Sequence, residues 1–413
     1  MRVLWICNQK VKIVSELLGN TAQVFGGWLD MPAEMLSKNP DIDFSILYRD
    51  LTSPETDGKT AGFSCHSFGD KNCRQRMESV ISAEKPDIIH IHGAEFFHSL
   101  IAAEVCEKLG ILDRCVVSIQ GIISECAKHY ADGVPEHIVN SYTFRDFIRH
   151  DNIALAREAY AARGRAETEV LKKAKNIIGR TDWDRETCLR INPRLNYYFC
   201  NETLRPSFYR SSRDECSVIP HSIFFSQYTS PVKGFHFLLE AMPGILERFP
   251  DTKIYVTGGD LMKLSVQQRL RLTSYNRYLI SLINKNSLNN NVVFLGNLPE
   301  ENMCKQYLLS EVFVSASTLE NSSNSICEAM ITGCPVVASS TGGTPSMLES
   351  PEEGLLYRYD DPNALADSVC RVFEDKEKSS AMAEKAMGRA KKRHDPQKNM
   401  QRLLQIYGEI CNS

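Results

Sequence analysis

Two acidic residues are the side chains of this sequence best placed to do chemistry. Glu320 and Glu328 lie in SASTLENSSNSICEAMITGCPVVASS, residues 315–340. An apolar run before Glu320 predicts a strand, and the stretch from Asn324 to Gly333 predicts a helix. The unpaired N–H groups at a helix start bind anionic oxygens, and a nearby carboxylate accepts hydrogen bonds from ribose or sugar hydroxyls. The segment therefore suits a nucleoside diphosphate.

Glu328 also has a purely structural interpretation. Ser325-Ile326-Cys327-Glu328 matches a capping box, in which the Ser and Glu side chains satisfy the free N–H groups at the helix start. The local pattern alone does not decide between the two interpretations, so both stand as predictions.

The elements that position these residues follow a regular order along the chain. Short apolar runs that end in turn residues alternate with longer amphipathic stretches, as βα units on a parallel sheet do. Several runs are apolar on both faces, which favours buried parallel strands. The predicted strands are residues 3–8, 44–48, 87–93, 115–121 and 176–180, a run beginning near Val218, and residues 253–259, 292–296, 312–317, 335–340 and 355–359.

Two domains are the natural division of 413 residues, because one hydrophobic core rarely serves so long a chain. We predict an α/β fold with two Rossmann-like domains, residues 1–205 and 215–395, joined by a polar linker at 201–214. Helical spacing of apolar residues predicts a terminal helix at 396–413 that packs on another part of the fold. Ligands of such sheets bind at the carboxyl ends of the strands, so we expect the site in a cleft between the domains.

Composition bears on nucleic-acid binding, cellular compartment, membrane attachment and metal binding. The chain has 48 Lys and Arg residues against 51 Asp and Glu residues, so it has no global basic field for nucleic acid. Its 14 scattered cysteines favour a reducing, cytoplasmic compartment. No apolar run reaches the length of a membrane span, so we expect any membrane contact to be peripheral, at the inner face. Cys and His never cluster at zinc-like spacing, and we predict no metal and no cofactor.

Taken in order, these motifs resemble those of the family 4 retaining glycosyltransferases, whose fold is the two-Rossmann GT-B arrangement. The strongest match is the acidic signature, in which seven residues separate Glu320 from Glu328 and AM, a glycine and PVVA follow. Lys233-Gly234, before an apolar helix and a strand, resembles that family's donor-phosphate element. Looser matches are Gly26-Gly27 in the acceptor loop, DIIHIH at 87–92, Ile219-Pro220 at the start of the second domain, and a C-terminal helix that crosses back onto the first domain.

The resemblance implies a role for each matching residue. Lys233 would neutralise the departing diphosphate, Glu320 would hold hydroxyls of the donor sugar, and Glu328 would hold the ribose. The other implied donor-binding positions are Asn324 and Ser325, through their main chain, and Gly258 and Gly259, through close approach of the nucleotide. Gly26, Gly27, His92 and Gln120 would lie on the acceptor side. The alternatives are a solvated surface lysine, turn glycines and a structural, hydrogen-bonded histidine.

The sequence departs from the family pattern in three places, one of which is Asn321, a compatible substitution after Glu320 where glycine is usual. No Arg precedes Lys233 in residues 226–231, where the family commonly has one for the diphosphate. Arg180 or Arg205 would replace it, although Arg180 could equally form a salt bridge to the aspartates at 182 and 184. Gln120 stands where the family often has a histidine, and because it carries no charge its role would be limited to hydrogen bonding.

The resemblance implies a metal-independent hexosyltransferase with retention of configuration. It would move a sugar from a nucleoside-diphosphate sugar, in the family's commonest case a UDP-sugar, to a glycan or lipid-linked acceptor in bacterial surface polysaccharide or glycoconjugate biosynthesis. A non-catalytic nucleotide- or sugar-binding protein is the alternative. A nicotinamide-dependent oxidoreductase is disfavoured, because no Gly-x-Gly-x-x-Gly follows the first predicted strand.

One basic amphipathic stretch, residues 142–175, bears on membrane contact. Arginines and lysines alternate there with aromatic and aliphatic residues. Such a segment could rest on anionic lipid, but interspersed acids dilute its charge, and a solvated helical face is the alternative.

Overall fold

The computed structural model of the chain describes residues 1–19, 27–52 and 55–412. The chain divides into two compact units. Unit 1 comprises Met1–Ser124, Ala162–Arg205 and Arg393–Ser413, and unit 2 comprises Glu125–Ala161 and Pro206–Lys392. Each unit is built on one β-sheet whose strands alternate with helices.

The strands of the described residues are β1 (Arg2–Cys7), β2 (Asp43–Arg49), β3 (Asp57–Thr60), β4 (Phe63–Phe68), β5 (Ile88–His92), β6 (Cys115–Ser118), β7 (Asn176–Gly179), β8 (Asn196–Phe199), β9 (Ile219–Phe225), β10 (Lys253–Val256), β11 (Val292–Phe294), β12 (Ser310–Ser315), β13 (Val336–Ser339) and β14 (Leu355–Tyr357).

The α-helices of the same residues are α1 (Lys12–Leu17), α2 (Gly27–Ser37), α3 (Cys73–Glu84), α4 (Phe97–Lys108), α5 (Ile123–Lys128), α6 (Glu136–Val139), α7 (Phe144–Arg149), α8 (Ile153–Lys173), α9 (Asp182–Ile191), α10 (Pro206–Tyr209), α11 (Phe235–Arg248), α12 (Val266–Arg269), α13 (Ser274–Lys285), α14 (Glu300–Leu309), α15 (Asn324–Thr332), α16 (Thr344–Met347), α17 (Pro362–Glu374), α18 (Lys376–Arg393) and α19 (Pro396–Cys411). Short 3-10 helices occur at Leu112–Arg114, Glu215–Ser217 and Pro231–Lys233.

The sheet of unit 1 has the order β3-β4-β2-β1-β5-β6-β7-β8. All neighbouring strands pair in parallel except β3, which runs antiparallel to β4 at the edge. The central strand β1, RVLWIC, is apolar on both faces and is buried from its second residue onwards. This pattern fits a strand that is covered by helices on both sides.

The sheet of unit 2 has the order β11-β10-β9-β12-β13-β14, and every pair of strands is parallel. Renumbered within the unit, this is the 3-2-1-4-5-6 order of a doubly wound fold, in which ligands bind at the carboxyl ends of the strands where the order reverses. Here the reversal falls between β9 and β12, and Glu320 follows β12.

The division of the chain differs from the sequence prediction in one segment. Residues 125–161 were predicted within the first domain, but they group with unit 2. The reason is apolar burial, because Tyr130, Val134, Val139 and Ile153 belong to the hydrophobic core of unit 2. Local sequence pattern carries no information about which distant core an apolar residue joins.

Every predicted strand is present, but three further strands were missed. β3 and β8 are edge strands without a buried side chain, and β4, FSCHSF, mixes polar with apolar residues. β3 and β4 lack the continuous apolar run on which the prediction relied, whereas β8, NYYF, has three consecutive aromatic residues and was overlooked. The predicted linker at 201–214 contains the short helix α10.

The terminal helix α19 is confirmed and belongs to unit 1. Its Tyr407 hydroxyl accepts a hydrogen bond from the Trp5 indole over 2.9 Å and lies 2.6 Å from His90 Nδ1. Buried apolar residues of the same helix face complete the core on that side of the sheet.

Candidate active site

Lys233 ends a short turn that lies against the end of β12. The 3-10 turn Pro231–Lys233 is followed by Gly234, whose φ is 71°, a conformation that residues with a Cβ rarely adopt. A Cβ on Gly234 would lie 1.8 Å from the carbonyl oxygen of Ala316. Only glycine therefore lets the Lys233 turn come this close to the chain that follows β12.

Lys233 and Glu320 form an ion pair within unit 2. Lys233 Nζ donates to Glu320 Oε1 over 2.5 Å, and the Ser317 hydroxyl donates to the same oxygen over 2.8 Å. The Lys233 and Glu320 side chains are 28% and 13% exposed, so the pair is shielded from water but reachable. Burial lowers the pKa of Lys233, but the charge of Glu320 and its hydrogen bond with the ammonium, with smaller contributions from Cys126 and Tyr160, together hold that pKa above its ordinary value. Lys233 is therefore a cation at neutral pH.

The loop that carries Glu320 is fixed by Gly342-Gly343. The Gly343 N–H donates to the Glu320 carbonyl oxygen over 2.9 Å. Gly342 has a φ of 51°, and a Cβ there would lie 2.1 Å from the same oxygen. The main chain on either side of the ion pair thus depends on a glycine at a close approach.

The helix α15 begins at Asn324, with Ser325 as its second residue. Glu328 is the fifth residue, in the second turn, so the predicted capping box with Ser325 does not form. The preceding N-cap serine makes no side-chain capping hydrogen bond either. Glu328 is instead buried beside Tyr307, whose hydroxyl donates to Glu328 Oε2 over 3.4 Å. The structural interpretation of Glu328 as a helix cap is wrong, and its ribose contact stays a prediction.

Gly258 and Gly259 follow β10 and lie beside the ring of Tyr228. Gly258 has a φ of 122°, and a Cβ there would lie 2.5 Å from the Tyr228 ring. The Tyr228 hydroxyl donates to the Gly259 carbonyl oxygen over 2.5 Å. Because these glycines have no side chain, Tyr228 can pack closely against them. Their contact with a nucleotide stays a prediction.

A contact that the sequence did not predict joins the segment Glu125–Ala161 to the loop of the ion pair. The Thr318 hydroxyl donates to the His129 carbonyl oxygen over 2.8 Å. The His129 ring lies 2.8 Å from Asp132 Oδ2, which also accepts from the Tyr359 hydroxyl over 3.0 Å. His129 and Thr318 are 189 positions apart, so no local signal could have found the contact.

In unit 1, β5 ends in two histidines with different surroundings. His90 is held by the Tyr407 and Ser118 hydroxyls, both at 2.6 Å. His92 stacks on His90 with ring centroids 3.9 Å apart, and neither of its nitrogens has a hydrogen-bond partner among the described residues. Burial, with a contribution from His90, holds the pKa of His92 well below its ordinary value. A neutral ring offers one donor and one acceptor, so His92 has capacity for a ligand that His90 lacks.

His92 lines a cavity of about 50 Å³ within unit 1. Trp5, Trp28 and Met400 form apolar walls, and Arg180 contributes to the polar side. A buried water needs roughly 10–15 Å³, so the cavity holds a few waters or the edge of a ligand. The acceptor role predicted for His92 stays a prediction.

The guanidinium group of Arg180 forms an ion pair and hydrogen bonds with other residues of unit 1. Its guanidinium forms an ion pair with Glu202 and donates to the carbonyl oxygens of Ile119 and Gln120 over 3.2 and 3.0 Å. The salt bridge predicted as the alternative thus exists, but its partner is Glu202 instead of the aspartates at 182 and 184. The Gln120 amide donates to the same carboxylate over 3.0 Å. A donor-phosphate role for Arg180 has no support in these contacts.

Two further predicted residues, Gly27 and Arg205, lie near the start of α2. Gly27 begins this helix, and a Cβ on it would lie 3.1 Å from Arg205 Cγ. Arg205 is half-buried there, and its role toward the diphosphate stays a prediction. Gly26 lies outside the described residues.

Glu95, three residues after the end of β5, is a buried carboxyl in unit 1. Its Oε2 has no hydrogen-bond partner among the described residues. Burial, to which the charge of Glu167 adds, raises the pKa of Glu95 to about 7. Glu167 itself accepts hydrogen bonds from the main-chain N–H groups of Ile123 and Ser124, both at 3.0 Å.

We expect Glu95→Gln to stabilise the protein increasingly as pH rises from about 4.5 to about 7. The folded-state pKa is above the unfolded one, so the wild type loses stability across that window, whereas glutamine does not titrate. The gain should approach about 3 kcal/mol at pH 8. Urea unfolding at several pH values measures it, with the exposed Glu186→Gln as control; a pH-independent difference would contradict the buried, protonated Glu95.

Three further observations concern metal ligands, membrane-spanning helices and cysteines. In residues 1–19, 27–52 and 55–412, no three His, Cys, Asp or Glu side chains lie together as metal ligands would. Across that same part of the chain, no helix combines the length and the apolar character of a membrane span. The 14 cysteines are free thiols, and all except Cys126, Cys216 and Cys411 are buried.

Comparison with known proteins finds a family match in the second half of the chain. Residues 220–389 match the family model described as glycosyl transferases group 1. Spore coat protein SA of Bacillus subtilis (strain 168) is 25% identical over 187 residues, 45% of this chain and 48% of that protein. The D-inositol 3-phosphate glycosyltransferase of Corynebacterium urealyticum is 30% identical over 181 residues, 43% of this chain and 41% of that protein. The matches span less than half the length of these relatives.

Solved structures resemble the chain over nearly its whole length. Sucrose-phosphate synthase from Thermosynechococcus elongatus has a TM-score of 0.71 over 99% of both chains at 16% identity. Anabaena Alr3699/HepE in complex with UDP has a TM-score of 0.67 over 99% of this chain and 100% of that chain, also at 16% identity. At such identities the likeness shows the fold alone, and the predicted GT-B fold is confirmed. Residues 220–389 are thus similar to the glycosyl transferases group 1 family, the kind of protein that the acidic motif of Glu320 and Glu328 predicted.

Proposed function

We propose that this chain is a retaining hexosyltransferase that uses a nucleoside-diphosphate sugar as donor. The observation that carries the proposal is the ion pair of Lys233 with Glu320, held by Gly234 and Gly342 at the carboxyl end of β12. This edge of a doubly wound sheet is where ligands bind. The family match of residues 220–389 supports the glycosyl-transfer class.

Lys233 is proposed to stabilise the leaving group. When the bond between the anomeric carbon and the diphosphate breaks, negative charge grows on a phosphate oxygen, and a fixed cation beside that oxygen lowers the barrier. A lysine ammonium has three N–H donors, of which the contact with Glu320 uses one. The acceptor hydroxyl bonds to the same carbon, and its proton passes to the departing phosphate, so the chain needs to supply no separate base.

Glu320 and Glu328 are proposed to bind hydroxyl groups of the donor. Glu320 Oε1 is occupied by Lys233 and Ser317, which orients the carboxylate. Its second oxygen is then the one for the sugar hydroxyls. Glu328 is buried beside Tyr307 and would accept from the ribose. Both roles rest on the family resemblance together with this placement.

We propose uracil as the donor base, no requirement for a metal, and a glycan or lipid-linked acceptor in surface polysaccharide or glycoconjugate biosynthesis. The UDP in the HepE complex supports the choice of base. The cationic Lys233 supports metal independence, because it supplies positive charge at the diphosphate. The acceptor and the pathway follow from the family resemblance.

Thermal unfolding in the presence of nucleotides tests the proposal. We expect UDP and UDP-sugars to raise the melting temperature more than GDP or ADP, with or without EDTA. A ligand at 100 times its Kd adds roughly 2.7 kcal/mol of stability. UMP is the matched control, because it lacks the second phosphate and should give a smaller shift. No shift with any nucleoside diphosphate would contradict the donor site, and loss of the UDP shift in EDTA would contradict metal independence.

A further inference from the structure

Unit 2 exposes large apolar side chains in or next to the helices α7 and α12. These residues, which we call the apolar patch, are Tyr142, Phe144, Phe147, Ile148, Val266 and Leu270. Their exposed fractions run from 50% for Leu270 to 80% for Val266. All residues of unit 2 are described, and Ile219 is its only other exposed large apolar residue. Apolar residues that are exposed together, instead of singly, mark interaction sites.

The two parts of the apolar patch are held in a fixed arrangement. The Asp146 carboxylate of α7 is fully buried and accepts from the Ser274 N–H, at the start of α13, over 2.8 Å. It also accepts from the Thr143 N–H in a capping box that begins α7. Because Ser274 follows α12 closely in the chain, this carboxylate ties α7 to the α12 region. The exposed aromatic residues of α7 therefore stand on an anchored helix.

Basic residues outnumber acidic ones in the region around the apolar patch. Residues 261–285 contain Lys263, Arg269, Arg271, Arg277 and Lys285 and no Asp or Glu. Just before this segment, the Asp260 Oδ2 atom lies 3.8 Å from Lys263 Nζ and pairs with it. In α7, Arg145 pairs with Asp151, whereas Arg149 forms no ion pair with any described residue. The three arginines of residues 261–285 likewise have no acidic partner in the described part of the chain. This charge is complementary to an anionic surface.

A groove adjoins the same residues. Its volume is about 470 Å³, and Leu261, Met262, Leu264, Leu272 and Ile280 give it an apolar lining. Arg269 and Arg277 contribute guanidinium groups to the same lining. Apolar walls beside arginines suit an acyl chain whose headgroup carries negative charge.

We propose that the apolar patch, the basic residues 261–285 and the groove form a docking surface for an anionic phospholipid bilayer. Aromatic and aliphatic side chains beside arginines are the composition of surfaces that lie in the headgroup region of a membrane. The proposal goes beyond sugar transfer and does not depend on it.

Binding to vesicles tests the surface without any assay of activity. The full chain is mixed with vesicles of phosphatidylcholine alone and of phosphatidylcholine with phosphatidylglycerol, and the bound fraction is measured by sedimentation. We expect binding only to the anionic vesicles, decreasing with salt. Arg269→Gln with Arg271→Gln should weaken it about thirtyfold at low salt, since each arginine near an anionic surface contributes about fivefold. Phe147→Ser with Ile148→Ser should weaken it at least about tenfold.

Matched variants outside the docking surface are the controls. Phe97→Ser removes an exposed aromatic residue of unit 1, and Arg194→Gln removes an exposed charge there; neither should change vesicle binding. Circular dichroism checks that every variant folds. Equal binding to both vesicle types, or equal loss in the control variants, would overturn the proposal. It would also be overturned if the wild type bound no vesicles but self-associated through Phe147 and Ile148, because the surface would then join copies of this chain.

Discussion

Lys233→Ala is expected to lower kcat for sugar transfer by about 10²–10³-fold, the effect of removing one preorganised charge-stabilising group from an active site. The substitution removes the cation that lies 2.5 Å from Glu320 Oε1 and leaves a mostly buried carboxylate with Ser317 as its remaining described partner. The UDP-induced rise in melting temperature should shrink in the same variant, because the diphosphate loses its countercharge. Initial rates of UDP release, with saturating donor, measure the first effect.

The control for Lys233→Ala is Lys253→Ala, which removes an exposed lysine of β10 in the same unit. Glu320→Gln then separates the enzyme from a non-catalytic binding protein on the same fold. Loss of turnover in a folded Glu320→Gln variant supports the enzyme, whereas a wild type that binds UDP without turnover supports the binding protein. Activity of Lys233→Ala within about threefold of wild type would exclude Lys233 as the leaving-group cation.

Gly234→Ala should destabilise unit 2 by about 3 kcal/mol or more and impair nucleotide binding. Two effects add, because the new Cβ would meet the Ala316 carbonyl oxygen at 1.8 Å and the residue would have to keep a φ of 71°. The neighbouring main chain has little freedom to yield, since the Thr318 N–H donates to the Val232 carbonyl oxygen over 2.8 Å. Urea unfolding and the UDP-induced melting shift measure the two consequences.

Substitutions of two other glycines of unit 2 separate the steric effect of the new Cβ from the effect of the positive φ. Gly296 has the same φ of 71° but nothing within 4 Å of the added Cβ, so Gly296→Ala should cost only the conformational part, about 1 kcal/mol. Gly244 lies inside α11 with its nearest contact at 3.5 Å, and alanine there should be neutral or stabilising. If Gly234→Ala were no worse than Gly296→Ala, the close approach to Ala316 would not matter for stability.

Continuous apolar runs made most of the fold predictable. The central strands of both sheets are buried on both faces, and each was found from its sequence. The acidic residues of the site were found because their signal is local as well. A strand, a loop, a helix, Gly333 and a proline follow one another within 26 consecutive residues. The prediction failed at β3 and β4, where polar residues interrupt the apolar run.

Long-range contacts set the limit of prediction for the site. The burial of Tyr130 and Val134 in the core of unit 2, and the hydrogen bond of Thr318 to His129, join residues far apart in the chain. Glu202 as the partner of Arg180 is of the same kind, because the local aspartates were the obvious candidates. The basic residues 261–285 were also overlooked, since the lipid hypothesis was attached to residues 142–175 alone.

The burial of Tyr407 against Trp5 and His90 has a consequence for biosynthesis. A ribosome makes the central strand of unit 1 first and α19 about 20–80 seconds later, at the usual rates of translation. During all that time one apolar side of the sheet lacks the part of its cover that α19 supplies. Unit 1 is thus completed only after all of unit 2 has been synthesised, and its sheet offers chaperones a long-lived binding surface on the nascent chain.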